Sequence, residues 1–328
     1  MNETRTPGSP LGIIEPTPHF NTSLQSAYRC GTPLESTEVS ERIAKETSTP
    51  APSREDPPLT IIQPRSGWRI IDLRELWRFR EVLGFLTWRD LKVRYKQTLL
   101  GVSWALLQPL AVMLVFALFL GRLGGIDENI PYYSLFVFIG ILPWTFFANA
   151  VTNAGNSVVA NERLVTKIWF PRLIVPFSAV CAAIFDFLIA MVLLGVMMAG
   201  YGVAPSWQTF MCVPIFLMLV LTAVGIGTLL SALIVAHRDF RYVLTFGVQL
   251  WMFATPAIYL TPKSFGPLAH QWLPLNPAYG LILNFRHAVL GGPLNWYALG
   301  VSSAVAMVLL FVGLAYFRRV ERSFADII

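Results

Sequence analysis

The sequence predicts an all-α polytopic membrane protein with six transmembrane helices, and three observations support this fold class. Hydrophobic residues make up 55% of the 328-residue chain and charged residues only 13%, which is about half the charged fraction of a soluble domain. After Thr98 the apolar residues gather into runs of roughly 20, the length that a helix needs to cross about 30 Å of hydrocarbon. The mean hydropathy of +0.56 also indicates that lipid is the main solvent.

The N-terminal region, residues 1–66, has a different composition from the rest. It is rich in Pro, Ser, Thr and Glu and lacks periodic apolar positions, which predicts a disordered tail. No apolar run follows a basic start, so we do not expect a cleavable signal peptide.

Residues 67–97 predict an amphipathic interface helix on the cytoplasmic membrane surface. Leu76, Phe79 and Leu83 recur at helical spacing among arginines and tryptophans. An indole ring buries its apolar body at the headgroup level while its N–H stays in contact with water. Such a helix lies along the membrane rather than across it.

Residues 98–317 contain the six predicted spans. The stretch 261–295 is too apolar for an ordinary loop, yet several prolines interrupt it. It predicts two short re-entrant helices that dip into the outer leaflet before the last span, since irregular backbone at that depth must be buried in protein or line a cavity. The six spans are placed at about 98–120, 132–153, 173–200, 210–235, 242–260 and 296–317.

The distribution of basic residues predicts the orientation. With the N-terminus inside, the inner segments carry 16 Lys and Arg outside the tail and the outer segments carry three, namely Arg122, Lys263 and Arg286. Lys and Arg favour the cytoplasmic side. Both termini, including a short tail at 318–328, are therefore predicted in the cytoplasm, and the protein is predicted to be a multi-pass inner-membrane protein.

Catalytic and cofactor-binding motifs are not found in the sequence. No Gly-rich loop ends in Gly-Lys-Ser/Thr, and the four histidines and three cysteines form no cluster with metal-ligand spacing. We expect a transport protein that is not an enzyme and holds no metal or cofactor. The sequence pI near 9.4 is explained by juxtamembrane Lys and Arg rather than by nucleic-acid binding.

Asp186 is the one acidic residue deep inside a predicted span. Two interpretations stay open for it. It is either a proton or ion site of a gradient-driven transporter, or a structural hydrogen-bonding group that faces a neighbouring helix.

The inner loop after the second span reads NERLVTKIWFPRLIVP. Leu164, Ile168 and Trp169 fall on one helical face, with Lys167 off that face. A short amphipathic helix of this kind either inserts into a groove on a partner protein or lies on the membrane surface.

Aromatic residues concentrate in the first, second and fifth spans. An aromatic face stacks on the apolar face of a sugar ring, which would suit a conduit for a sliding polymer. Taken singly, each aromatic is equally consistent with packing or lipid contact.

Five strings of the chain resemble the permease subunit of type-2 ABC exporters, and more narrowly the branch that exports O-antigen, capsule and teichoic-acid polysaccharides. They are RDLKVRYKQTLLGVSWALLQPL, LFVFIGILPWTFFANAV, NERLVTKIWFPRLIVP, HRDFRYVLTFGVQLWMFATPAIY and LNPAYGLILNFR. The resemblance covers about Leu73 to Arg322, and the 66-residue tail is longer than the family core needs.

The resemblance implies a homodimer that pairs with two copies of a separate ATP-binding subunit, which holds ATP and Mg²⁺. It also implies an interface helix near Leu76 to Leu86 and gate helices near Phe265 to Leu290. Residues implied to dock on the ATPase are Asn161, Leu164, Lys167, Ile168, Trp169 and Phe170. Residues implied to contact sugar in the channel are Trp104, Phe146, Phe147, Trp251, Phe253 and Tyr259.

The leading hypothesis is therefore a permease for lipid-linked polysaccharide in an ATP-driven exporter. A type-2 ABC permease for drugs or lipids is the alternative. An ion-coupled secondary transporter is a third possibility, and it would depend on Asp186.

Overall fold

The computed structural model describes residues 77–96, 98, 101–125, 130–260 and 266–321, all within the unit Gly67–Ile328. The predicted tail 1–66, Leu76, and residues 322–328 of the predicted tail 318–328 lie outside the described residues. Within the described ranges every regular element is helical. The all-α prediction is therefore confirmed.

Ten α-helices follow one another along the described chain. They are α1 (Arg80–Tyr95), α2 (Trp104–Phe116), α3 (Tyr133–Ala160), α4 (Glu162–Lys167), α5 (Ile174–Gly200), α6 (Cys212–Ala236), α7 (Phe240–Phe253), α8 (Pro267–Trp272), α9 (Pro277–Leu290) and α10 (Trp296–Val320). Helix α2 follows a 3-10 turn and continues as a π-helix, Ala117–Leu123, and α6 follows a 3-10 turn, Trp207–Met211.

Five helical segments in the described chain are long and apolar enough to cross a membrane. They are Gly101–Leu123, Tyr133–Ala160, Ile174–Gly200, Trp207–Ala236 and Trp296–Val320. They coincide with the first, second, third, fourth and sixth predicted spans, and the second runs seven residues further than the expected 153. The chain is therefore a multi-pass membrane protein.

The predicted fifth span, 242–260, is not one long helix. Helix α7 stops at Phe253, and a separate 3-10 turn, Pro256–Ile258, follows it. A helix of 14 residues is about 21 Å long, shorter than the hydrocarbon core of about 30 Å. Pro256 lacks the N–H that a continuing α-helix would need, so this proline explains why the count of six spans is not confirmed here.

The second span, Tyr133–Ala160, is the centre of the bundle. In its most apolar window 78% of the residues are buried, compared with 6% in the first span. It packs against the third and fourth spans and against α9. The first span therefore presents most of its side chains away from the other described helices.

Two short helices precede the last span, at the position where short helices were predicted. Helix α9 begins with Asn276, whose side chain accepts from the Ala278 N–H at 3.1 Å, and Pro277 fills its first position. Nearly all of α9 is buried, including Tyr279, Phe285 and Arg286. The predicted re-entrant placement would require such covering by protein.

Candidate functional site

A stripe of polar side chains runs along the second span. Thr145, Asn149 and Asn153 recur every four residues, and all three are partly buried. Residues four apart lie on one face of a helix. The span also contains Ser134, Thr152, Asn156 and Ser157, and the stripe gives one face of the central helix hydrogen-bonding capacity.

This polar face borders a cavity of about 300 Å³ among α1 and the first three spans. Its walls combine the amides of Gln108, Asn149 and Asn153 with the aromatic rings of Trp104 and Phe146. No hydrogen bond is formed by these three amides with the described part of the chain, so their donors and acceptors are available to a ligand. The lining is completed by Arg94, Tyr95, Ala105, Pro109, Leu142, Thr145, Ala183, Asp186, Phe187 and Ala190.

One end of the cavity is formed by a charged contact between α1 and the third span. Arg94 donates from Nη1 to Oδ2 of Asp186, and the Tyr95 hydroxyl donates to Oδ1 of the same carboxylate. Both carboxylate oxygens therefore have donors. Burial first, and the hydrogen bond to Asp186 second, raise the pKa of Tyr95 to about 12, so this hydroxyl keeps its proton at physiological pH.

This arrangement is consistent with the structural interpretation of Asp186. The side chain is hydrogen-bonded to a neighbouring helix, as expected for a structural group. It is also the only acidic residue in the five described spans, whereas ion-coupled transporters place several such groups together.

The predicted sugar-contacting aromatics divide into three groups. Trp104, which is 50% exposed, and Phe146 both line the cavity. Phe147 is completely buried and meets the ring of Trp251 edge to face at 5.2 Å. This pair lies in the hydrophobic core of the described chain.

Phe253 and Tyr259 form the third group; Phe253 is the last residue of α7, and Tyr259 lies beyond it. The Tyr259 hydroxyl donates to the Phe253 carbonyl oxygen at 2.8 Å, and its ring stacks on Phe116 of the first span at 5.5 Å. The Tyr133 hydroxyl donates to the Tyr259 carbonyl oxygen at 3.1 Å. These contacts connect the first and second spans to the turn that follows α7.

Asn276 holds the same turn against the start of α9. Its Oδ1 accepts from the Trp251 indole N–H at 2.9 Å, and its Nδ2 donates to the Thr255 hydroxyl at 2.9 Å and to the Ala254 carbonyl oxygen at 3.2 Å. Trp251 is thereby fixed in place by a hydrogen bond as well as by its contact with Phe147.

The predicted coupling segment contains the short helix α4, Glu162–Lys167, with Asn161 at its start. Beyond α4 the backbone becomes extended at Ile168. Ile168 is 56% exposed and Trp169 is 83% exposed. Leu164 is partly buried, Lys167 is exposed and Phe170 is buried, so the apolar surface that is free for a partner consists of Ile168 and Trp169 rather than of α4 itself.

Helix α1 lies against this segment. Arg89 donates from Nη2 to Oδ1 of Asn161 at 2.6 Å, and the rings of Phe79 and Trp169 are 6.2 Å apart. Leu83, like Phe79, is partly buried against the hydrophobic cluster that contains Leu86. Two of the three residues predicted for the interface helix therefore face the protein.

Sequence reasoning missed the amides of the cavity. The aromatic content drew attention to Trp104 and Phe146, whereas the four-residue repeat of Thr145, Asn149 and Asn153 in an apolar span was an equally readable signal. Gln108 offered no such pattern. Among the described residues no group of three or more His, Cys, Asp or Glu is placed to hold a metal ion.

The bundle of apolar helices and the cavity lined by amides and aromatic rings are features expected of a membrane transport protein. Residues 81–290 match the profile of the ABC-2 type transporter family, and the chain belongs to that family. The predicted resemblance to type-2 ABC permeases is thereby confirmed.

Three curated relatives carry a common description. Two proteins of Klebsiella pneumoniae, each described as "O-antigen export system permease protein RfbA", are 30% identical over 253 residues, which cover 76% of this chain and 95% of each relative. A protein of Myxococcus xanthus with the same description is 30% identical over 256 residues, which cover 77% of this chain and 98% of the relative. The chain is thus a transport subunit and not an enzyme, and ATP hydrolysis in such a transporter takes place on a separate subunit.

Proposed function

We propose that this chain is the permease of an ATP-driven exporter that moves lipid-linked, O-antigen-like polysaccharide across the cytoplasmic membrane. The observation that carries the proposal is the lining of the cavity, taken together with three similar permeases whose descriptions state O-antigen export. A cargo of drugs or simple lipids is the alternative that the experiment below separates.

The chemistry of the cavity suits carbohydrate. Amide groups both donate and accept hydrogen bonds, and so do sugar hydroxyls. Trp104 and Phe146 supply flat apolar faces for the apolar faces of sugar rings. Because stacking is insensitive to the hydroxyl pattern, this combination permits binding of successive sugar units without demanding one stereochemistry.

The proposed assembly is a homodimer with two ATP-binding subunits, which hold ATP and Mg²⁺. The first span exposes a long apolar surface that includes Leu114 and Phe119, and α7 exposes Phe246 and Phe253. These surfaces are available for a second copy of the chain or for lipid, and a channel between two copies would place Trp104 near its wall. The exposed pair Ile168 and Trp169 is the proposed docking point for the ATP-binding subunit.

The proposed topology places both termini in the cytoplasm, with tails at 1–66 and 318–328. Helix α7 and the turn that follows it, through residue 260, provide the fifth of six crossings in two pieces, and α8 and α9 form the outer gate. The excess of Lys and Arg in the inner segments supports this orientation. Helix α1 is proposed to lie at the cytoplasmic membrane surface, where the exposed Trp88 of the helix and the exposed Trp77 just before it meet the headgroups.

The function is tested in a strain that lacks the gene. Loss of the protein should trap lipid-linked glycan on the cytoplasmic leaflet, and complementation with the wild-type gene should restore surface glycan. Trp104→Ala and Asn149→Leu should each restore less surface glycan at equal protein level. Trp296→Ala, which alters a tryptophan that is 66% exposed and outside the cavity, is the matched control and should complement fully.

Normal surface glycan in the deletion strain would refute the polysaccharide assignment. If the deletion strain traps glycan but both cavity variants complement it fully, the export function would stand. The proposal that sugar passes through this cavity would then be wrong.

A further inference from the structure

Helix α1 makes polar contacts with two different parts of the permease. Arg89 donates to Asn161 of the coupling segment, and Arg94 and Tyr95 donate to Asp186 of the third span. Five residues along a helix correspond to about 7.5 Å along the axis and about 140° around it. One uninterrupted helix, Arg80–Tyr95, thus presents one face to the coupling segment and another to the cavity.

Apolar packing holds the middle of the same helix. Leu86 is 3% exposed and lies in a cluster with Val158, Val165 and Phe170. This cluster joins α1 to the ends of the second and third spans. The helix is therefore held by apolar contacts at its centre and by polar contacts at Arg89, Arg94 and Tyr95.

The contact with Asp186 is also a part of the cavity wall. Arg94, Tyr95 and Asp186 line the cavity together with Trp104. Only a few residues separate Tyr95 from the first span, which begins at Gly101 and is the least buried span in the described chain. A shift of α1 relative to the third span would therefore change the end of the cavity and the position of the first span together.

From these contacts we infer that α1 transmits movement of the coupling segment to the cavity, and that Asp186 is the positioning residue that makes this transmission effective. The inference rests on the proposed docking of an ATP-binding subunit on Ile168 and Trp169. Asp186 neither touches the nucleotide nor needs to touch the cargo. It holds the C-terminal end of α1 against the third span, so that a displacement of Asn161 also displaces the residues that line the cavity.

The test uses the full complex of permease and ATP-binding subunit in proteoliposomes. A single thiol is introduced by Ala105→Cys, a small cavity-lining position, after the three native cysteines are replaced by serine. The rate of its reaction with a maleimide is compared between the nucleotide-free and vanadate-trapped complex. With Asp186 present this rate should differ between the two states.

Asp186→Asn should reduce that difference at least about fivefold and lower the glycan exported per ATP hydrolysed by about tenfold, the loss expected when a hydrogen bond between charged groups is removed. Asp186→Glu should restore both quantities. The ATP-binding subunit should still co-purify with Asp186→Asn, because the side chain does not contact the coupling segment. Arg318→Gln, which removes the charge pair with Glu321 at the end of α10, is the matched control and should keep the nucleotide-dependent difference.

A nucleotide-dependent difference within twofold of wild type in Asp186→Asn would overturn the inference. So would a uniform loss of protein and activity that Asp186→Glu does not reverse, since that pattern marks a merely structural group. If Asp186→Asn does not assemble, Tyr95→Phe removes one donor to the same carboxylate and decides by the same measurement. The thiol reaction needs no glycan, so a wrong cargo assignment would leave this test intact.

Discussion

The crossing of the fourth and last spans depends on two glycines that permit close approach. A Cβ atom added at Gly313 would lie 2.0 Å from the Gly225 carbonyl oxygen, 2.9 Å from the Gly225 carbonyl carbon and 3.0 Å from the Thr228 hydroxyl oxygen. Two of these atoms are backbone, so no side-chain rotation relieves the overlap. We predict that Gly313→Ala destabilises the permease.

The size of the effect follows from this geometry. A carbon–oxygen contact is ordinarily about 3.3 Å or longer, so the two helices must separate locally by more than about 1 Å. Overpacking of this kind costs about 1–3 kcal/mol. Alanine is better than glycine in a helix by up to about 1 kcal/mol, and this gain must be removed by a control.

Gly300→Ala is that control. Gly300 lies on the same helix, and a Cβ added there would meet nothing within 4 Å. The measurement is thermal denaturation of the purified protein in detergent, followed by size-exclusion chromatography. Gly313→Ala should unfold about 2–10 °C below Gly300→Ala, as a difference of about 1–3 kcal/mol implies. Equal midpoints for the two variants would refute the close crossing.

Three further predictions concern docking, the turn after α7 and pH. Trp169→Asp should abolish co-purification of the ATP-binding subunit while the detergent-extracted permease still elutes as a single peak, whereas Trp296→Asp should keep the subunit bound. Asn276→Ala leaves the Trp251 indole N–H without its acceptor and should lower the free energy of unfolding by about 1–3 kcal/mol, measured by thermal denaturation. Tyrosine ionises near pH 10 when unfolded and near 12 at Tyr95 in the fold. The unfolded chain therefore loses a proton first as the pH rises from 10 to 12, stability falls over that range, and Tyr95→Phe should show a smaller fall in its denaturation midpoint.

The sequence predicted the spans well wherever contact with lipid and packing inside the protein both favour apolar residues. Long apolar runs produced the first, second, third, fourth and last spans at the expected places. Helix α7 departed from the expectation because average hydropathy does not register that Pro256 removes a backbone donor. The missing N–H of Pro256 could have predicted the end of the helix, whereas the hydropathy of the segment could not.

Contacts between distant residues were beyond a single sequence. Asp186 could be recognised as a group needing a partner, yet its donors Arg94 and Tyr95 are more than 90 residues away, and nothing local identifies them. Arg286 was counted as an outer-loop charge that helps to set the topology. In the structure it is 1% exposed, with its guanidinium 3.8 Å from the centre of the Phe136 ring, so its place is fixed by packing of α9 on the second span.

The spans differ in how deeply they are buried, and this difference agrees with the proposed role of the cavity. The second span is held by the third and fourth spans and by α9, and it carries the amides of the cavity on a fixed support. The first span supplies Trp104 and Gln108 from a helix that is 6% buried in its apolar window. A cavity with one fixed wall and one loosely held wall can change shape without unfolding the bundle. Since the first span follows α1 in the chain, the inferred role of α1 predicts that the contacts of Arg94 and Tyr95 with Asp186 limit the movement of this wall.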